Sequence, residues 1–307
     1  MSTVKAPADK LPLALRKNVR DNWDSKKSEL EAQLLTLLGE AWVFDINPLA
    51  IYPYAEEGSY GHGSLGECIY AYADGFIYYL KDFLTKHGEE GKTELNSVAP
   101  AHTITLGASP KFSYCGTDIE EGKLHLLFNP SCLGTNIDQA GQKLAETISA
   151  APQPQGASPL SYTARHCIKT EYTEKIGPYL EQARKALQND KFAFDPSWEQ
   201  LAAALKSGKD VRDDWETNIG NFATSYFEGF VSALSSQKFD EDEMLREGLE
   251  DAVPNGVLKL RLVEELTTGQ SSYNEITLDN GDLVIQTTPS NWGTNVYDAA
   301  NKLIDIL

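Results

Sequence analysis

Pro130-Ser131-Cys132-Leu133-Gly134-Thr135-Asn136-Ile137-Asp138-Gln139-Ala140-Gly141-Gln142-Lys143-Leu144 returns later in the chain as Pro289-Ser290-Asn291-Trp292-Gly293-Thr294-Asn295-Val296-Tyr297-Asp298-Ala299-Ala300-Asn301-Lys302-Leu303. Eight of the fifteen pairs are identical: Pro, Ser, Gly, Thr, Asn, Ala, Lys and Leu. Such self-similarity predicts two copies of one folding unit, with the rest of each copy arranged around this stretch.

Each stretch follows a short apolar run, Lys123–Phe128 in the first copy and Asp282–Thr287 in the second. Both read as buried strands. Pro cannot donate to a sheet ladder, so pairing stops at Pro130 and Pro289. Gly134 and Gly293 allow a turn. Thr135 or Asn136, and Thr294 or Asn295, supply the short polar side chain that caps a helix start. Ile137, Ala140, Gly141, Leu144 and Ile148 then form an amphipathic stripe, matched by Val296, Ala299, Ala300, Leu303 and Leu307.

The correspondence extends outward. A helix is predicted from about Leu13 to Leu38, and its partner from Glu174 to Leu187. Trp42-Val43-Phe44-Asp45 matches Phe192-Ala193-Phe194-Asp195, each with a Pro soon after. The strongest helix carries Ile69, Tyr72, Ala73, Phe76, Ile77, Leu80 and Leu84. Ala223, Tyr226, Phe227, Phe230, Val231 and Leu234 mark its counterpart, 154 residues on. Gly75 and Gly229 sit inside these helices, where Gly costs about 1 kcal/mol relative to Ala. That cost predicts close approach of another backbone, that of the other copy. Val257–Val263 alternates as a half-exposed strand, with Thr103–Leu106 as its weaker partner. Asp279-Asn280-Gly281 and Glu120-Glu121-Gly122 mark tight hairpins.

The segment Ser149–Pro159, rich in Pro, Gly, Ser and Ala, reads as a linker. The predicted fold class is therefore α+β. Two tandem helix–helix–antiparallel β-meander–helix units are expected, residues 1–150 and 160–307, related by a pseudo-two-fold.

Composition excludes several functions. The net charge is −18, and 13 basic against 20 acidic residues over positions 1–155 place the acid in both halves. Such a field repels phosphate backbones, so no nucleic-acid partner is expected. No apolar run approaches a membrane span, and Met1–Lys10 lacks a secretory core, which points to the cytoplasm. Cys68, Cys115, Cys132 and Cys167 show no Cys-x-x-Cys spacing. The first three align with Phe222, Asn274 and Asn291, so free thiols are expected, with no metal site.

Gly61-His62-Gly63-Ser64-Leu65-Gly66 matches a dinucleotide-binding pattern but follows no buried strand, so no nucleotide is assigned. The leading expectation is a binding protein that holds a small molecule or protein partner between its copies. Its ligand residues are Asp74, Thr135 and Asn136 with Glu228, Thr294 and Asn295. Free N–H groups at the corner helices suit an anion or polar ligand, and Asp74 and Glu228 form a close acid pair if the copies meet about a dyad. The alternative is an enzyme of hydrolase or lyase type, with His62, Ser64, Glu67 and His125 as acid–base and nucleophile candidates. Four of the five histidines lie in the first copy and align with Glu216, Glu241, Gly256 and Val284. No cofactor follows from the sequence.

Overall fold

The computed structural model describes residues 5–152 and 158–307. The chain forms two compact units, Met1–Ala157 and Ser158–Leu307. The predicted linker falls partly on residues 153–157, which lie outside the described residues.

In the first unit, helices α1 (Leu13–Val19) and α2 (Ser25–Leu38) are joined by a π-helical turn, Arg20–Asp24. Strand β1 (Val43–Phe44) follows, then short helices α3 (Pro48–Ile51) and α4 (Tyr60–Gly63) and the long α5 (Leu65–Val98). Gly88 (φ +54°) breaks α5 into two segments. Strands β2 (Thr103–Ala108), β3 (Cys115–Glu120) and β4 (Lys123–Phe128) lead to a 3-10 turn at Ile137–Gly141 and helix α6 (Leu144–Ala150).

The second unit runs through α7 (Tyr162–Cys167), a π turn at Ile168–Thr173, α8 (Gly177–Leu187), β5 (Ala193–Asp195) and α9 (Trp198–Ser207). It continues with α10 (Trp215–Ser236), α11 (Glu243–Ala252), β6 (Val257–Leu262), β7 (Asn274–Asp279) and β8 (Asp282–Thr287). Three 3-10 turns follow, Pro289–Asn291, Val296–Asp298 and Ile304–Ile306.

Each unit is mixed α and β, but its sheet is no meander. The strand orders are β1-β2-β4-β3 and β5-β6-β8-β7. β4 lies parallel to β2 and antiparallel to β3, and β8 relates to β6 and β7 in the same way. The chain leaves β2, passes the neighbouring slot, and fills it on the way back with β4. The physical reason is burial. Every residue of β8 is buried, and Leu124, Leu126 and Phe128 of β4 are too. So apolar a strand belongs between two others, whereas the more polar β3 and β7 tolerate an edge. β1 and β2, joined through α5, are also parallel, as are β5 and β6, joined through α10, so two of the three pairings in each sheet are parallel and only the β3–β4 and β7–β8 hairpins are antiparallel.

The predicted hairpins form. Glu121 and Gly122 (φ +51° and +72°), and Asn280 and Gly281 (+51° and +82°), take the left-handed pair that a two-residue turn requires. The predicted corner helix does not form as one α-helix: a 3-10 turn comes first in both units.

The helix glycines also differ from expectation. A Cβ on Gly229 would lie 2.8 Å from Val296 O and Tyr297 Cα, and one on Gly75 3.9 Å from Asp138 Cα. Of the two, only Gly229 admits a backbone that a Cβ would exclude, and that backbone is its own unit's corner; at Gly75 a Cβ would make ordinary contact. Gly66 and Gly220 are tighter. A Cβ there would lie 2.5 Å from Asn18 O and 2.4 Å from Cys167 O. Both contacts fall where the first helix of the unit passes into its π turn.

α5 and α10 carry the cores. Tyr72, Phe76 and Leu80 are fully buried, and Tyr72 packs on Phe128 of β4, ring centroids 6.2 Å apart. In the second unit Phe194 stacks on Phe227 at 4.3 Å, and Phe192 on Phe230 at 5.8 Å. Among the described residues no helix is long and apolar enough to cross a membrane.

Candidate functional site

The corner after β4 is built by its own side chains. Asn129 N–H donates to Tyr114 O (2.7 Å) and its amide to Phe112 O (2.8 Å). Asn129 Oδ1 accepts from Ser131 N–H and Oγ. Gly134 (φ +83°) donates its N–H to the buried Tyr72 hydroxyl at 3.1 Å. Asn136 sits in the left-handed region at φ +49° and makes no side-chain cap bond. Asn295 behaves identically. The capping role expected of these residues is absent because a left-handed backbone turns their side chains away from the helix start.

Three cysteines converge on this corner. Cys68, Cys115 and Cys132 all act on the Tyr72 phenol, whose pKa is raised by burial first and then by the three thiols, against the Gly134 hydrogen bond. Cys115 Sγ donates to Asn136 O at 2.9 Å. Burial pushes the Cys68 thiol up to about 12. Burial, helped by Asp138, pushes Cys115 up to about 11. Both stay protonated at neutral pH, as neutral donors rather than thiolate nucleophiles. Cys132 is half-buried. The Tyr60 ring packs 3.5 Å from the point a Gly134 Cβ would occupy. Burial, and then Cys68 and Glu67, raise the Tyr60 phenol. Glu67, an expected site residue, therefore belongs to this neighbourhood.

The second corner is filled differently. Phe222, Asn274, Asn291 and Trp292 stand where the first has Cys68, Cys115, Cys132 and Leu133. Tyr226 donates to Asn274 Oδ1 (3.0 Å), and the Asn274 amide donates to Thr294 O (2.8 Å) and Asn295 O (3.0 Å). Gly293 N–H meets the Tyr226 hydroxyl at 3.4 Å. Trp292 is buried against Tyr226, ring centroids 5.2 Å apart. Its Nε1 has no hydrogen-bond acceptor among the described residues. A fully buried Trp with an unmet donor is there for volume. The two hydroxyls should separate in a stability test. Tyr226→Phe strands Asn274 and costs about 2 kcal/mol, whereas Tyr72→Phe costs about 1 kcal/mol. Urea midpoints at constant slope measure both.

The remaining candidates are dispersed. The His62 ring stacks on Tyr52 at 6.0 Å, and the His62 backbone N–H donates to Ser59 Oγ, which caps α4. Ser64 precedes α5 without capping it. Asn18 does so instead, accepting from Gly66 N–H (2.7 Å) and Glu67 N–H (3.4 Å). His125 lies in β4 with Thr105 Oγ1 2.6 Å from Nδ1 and Glu120 O 3.3 Å from Nε2. A carbonyl only accepts, so a bond to Glu120 O calls for the tautomer protonated on Nε2, with Nδ1 accepting from Thr105. Asp74 accepts from Tyr70 at 3.4 Å, and Glu228 from Tyr297 at 3.1 Å. Each carboxylate thus has a partner within its own unit. No group of three or more His, Cys, Asp or Glu side chains suited to a metal ion occurs among the described residues.

Sequence reasoning missed the thiol convergence. The signal was present: three cysteines align with three non-cysteines, a bias toward one unit that spacing alone does not turn into proximity. Comparison with protein-family models, with curated proteins and with solved structures returns no match. The geometry of the two corners therefore carries the functional reading.

Proposed function

We propose that this chain is a binding protein made of two duplicated units, in which the first corner takes a small molecule and the second is structural. The carrying observation is the contrast between the corners. Topologically equivalent positions hold Cys68, Cys115 and Cys132 in one unit and Phe222, Asn274 and Asn291 in the other. Duplication relieves one copy of function, and that copy fills its corner with packing groups. Shared strand order supports the duplication. Neutral thiols, the Tyr60 ring and the Glu67 carboxylate suit a ligand with an apolar body and a hydrogen-bonding or cationic end.

Native mass spectrometry of freshly purified protein, paired with alkylation of Cys132, tests this. The expected result is a retained small molecule that slows Cys132 alkylation and is lost in Glu67→Gln but kept in Asn291→Ala. A mass equal to the bare polypeptide, with Cys132 alkylation unchanged by a small-molecule extract of the source cells, defeats the reading.

A further inference from the structure

β7 is an edge strand, and one side chain covers its centre. The Gln270 amide donates to Ile276 O at 2.9 Å and accepts from Ile276 N–H at 3.0 Å. That is the two-bond pattern by which a neighbouring strand would pair with Ile276. The cover belongs to the loop between β6 and β7, residues 263–273, which is longer than its counterpart at 109–114. In the first unit the equivalent residue, Thr117, is held from helix α6, where Thr147 Oγ1 meets Thr117 Oγ1 at 2.7 Å and Thr117 O at 3.3 Å. The second unit has only the 3-10 turn Ile304–Ile306 at that place. A packed helix guards one edge, and a loop side chain guards the other.

We propose that the β7 edge is a strand-pairing surface for a second copy of this chain, with Gln270 as its removable cover. Two β7 strands meeting antiparallel about Ile276 exchange two N–H···O bonds there, the same two that Gln270 supplies. In that register Glu275 faces Thr277 and Asp279 faces Tyr273, so no carboxylate of this acidic chain opposes another. Tyr273 and Leu278, 41% and 39% exposed, lie at the two ends of the contact. Thr267 and Thr268 stay anchored on Glu275. Gly269 (φ +70°), with nothing within 4 Å of a Cβ, supplies the hinge. An isologous contact of this kind closes at two copies.

Sedimentation velocity of the full chain over a concentration series tests the idea. Gln270→Ala should tighten self-association at least about tenfold, because no internal bond then competes. Gln270→Glu, which keeps the acceptor and loses the donor, should fall between that variant and the wild type. Adding Thr277→Glu, which faces Glu275 of a second copy, should return Gln270→Ala to wild-type behaviour. The proposal is overturned if Gln270→Ala sediments as the wild type does. It is equally overturned if Thr277→Glu leaves the added association intact, since another surface would then be responsible. Far-ultraviolet circular dichroism confirms that each variant is folded.

Discussion

Gly220→Ala should destabilise the protein by about 3 kcal/mol, the upper end for overpacking. The new Cβ would lie 2.4 Å from Cys167 O, 2.8 Å from Cys167 C and 3.0 Å from Ile168 Cα. All three are backbone atoms, so no rotamer change makes room. α10 must lift off the α7 junction, and Gly220 N–H then loses its contact with Cys167 Sγ (3.3 Å). Helix propensity works the other way, since Ala is better than Gly by about 1 kcal/mol inside a helix. The clash wins because it moves two packed helices. Gly66→Ala should behave alike, with Asn18 O at 2.5 Å and Val19 Cα at 2.6 Å. Gly248, inside α11, has nothing within 4 Å of a Cβ. Gly248→Ala should therefore stabilise by up to about 1 kcal/mol. Urea unfolding followed by tryptophan fluorescence gives all three midpoints. Equal signs for Gly220 and Gly248 would remove the close-approach account.

That contrast also marks how far the sequence could be read. The local signals held where the chain's own chemistry decides the outcome. Lys123–Phe128 and Asp282–Thr287 are strands with the expected bounds, because each run is short and lies between a Gly and a Pro that bound it as a strand. Asn280-Gly281 turns as a hairpin because those residues tolerate positive φ. Pairing order was not legible. β2 and β4 lie side by side with β3 between them in sequence, and nothing local in Thr103–Ala108 distinguishes a parallel neighbour from an antiparallel one. The π turns at Arg20–Asp24 and Ile168–Thr173 were equally hidden. They coincide with the contacts at Gly66 and Gly220, so they answer to tertiary packing rather than to their own residues.

The candidate site follows the same division. Gly229 was recognisable as a place of close approach, but the approaching backbone is the 3-10 corner of the same unit, and at Gly75 a Cβ would make only ordinary contact with the equivalent turn. His125 read as an acid–base candidate on a strand. The pairing that places Thr105 beside it depends on the unforeseen β2–β4 contact. Asn18, which caps α5 from 48 residues away, has no local signature at all.

Loss of the Glu275 carboxylate is the second large effect, and it depends on pH. Glu275 is fully buried. It accepts from Thr267 N–H (3.2 Å), Thr268 N–H (2.8 Å), the Thr268 hydroxyl and the Gln286 amide. Burial by itself would raise its pKa; the bonds from Thr268 and Gln286 and the two backbone N–H groups outweigh burial and hold it below its ordinary value of 4.5. Glu275→Ala leaves those donors without an acceptor inside the fold and should cost about 3 kcal/mol. The first unit has Gly116 at this position, where the Phe112 ring occupies the space a side chain would need. The sign of the pH effect follows from the depressed folded-state value. The unfolded chain binds the proton more readily, so the stabilisation is complete above the ordinary value and fades as pH falls through the folded one. Lys259–Asp282 (2.6 Å) and Arg261–Asp279 weaken in acid as well, so the measurement is a difference. The gap in unfolding free energy between wild type and Glu275→Gln should be widest near neutral pH and narrow steadily below pH of about 4.5. A gap that stays constant down to the acid transition would mean that the carboxylate's charge contributes nothing to holding the loop.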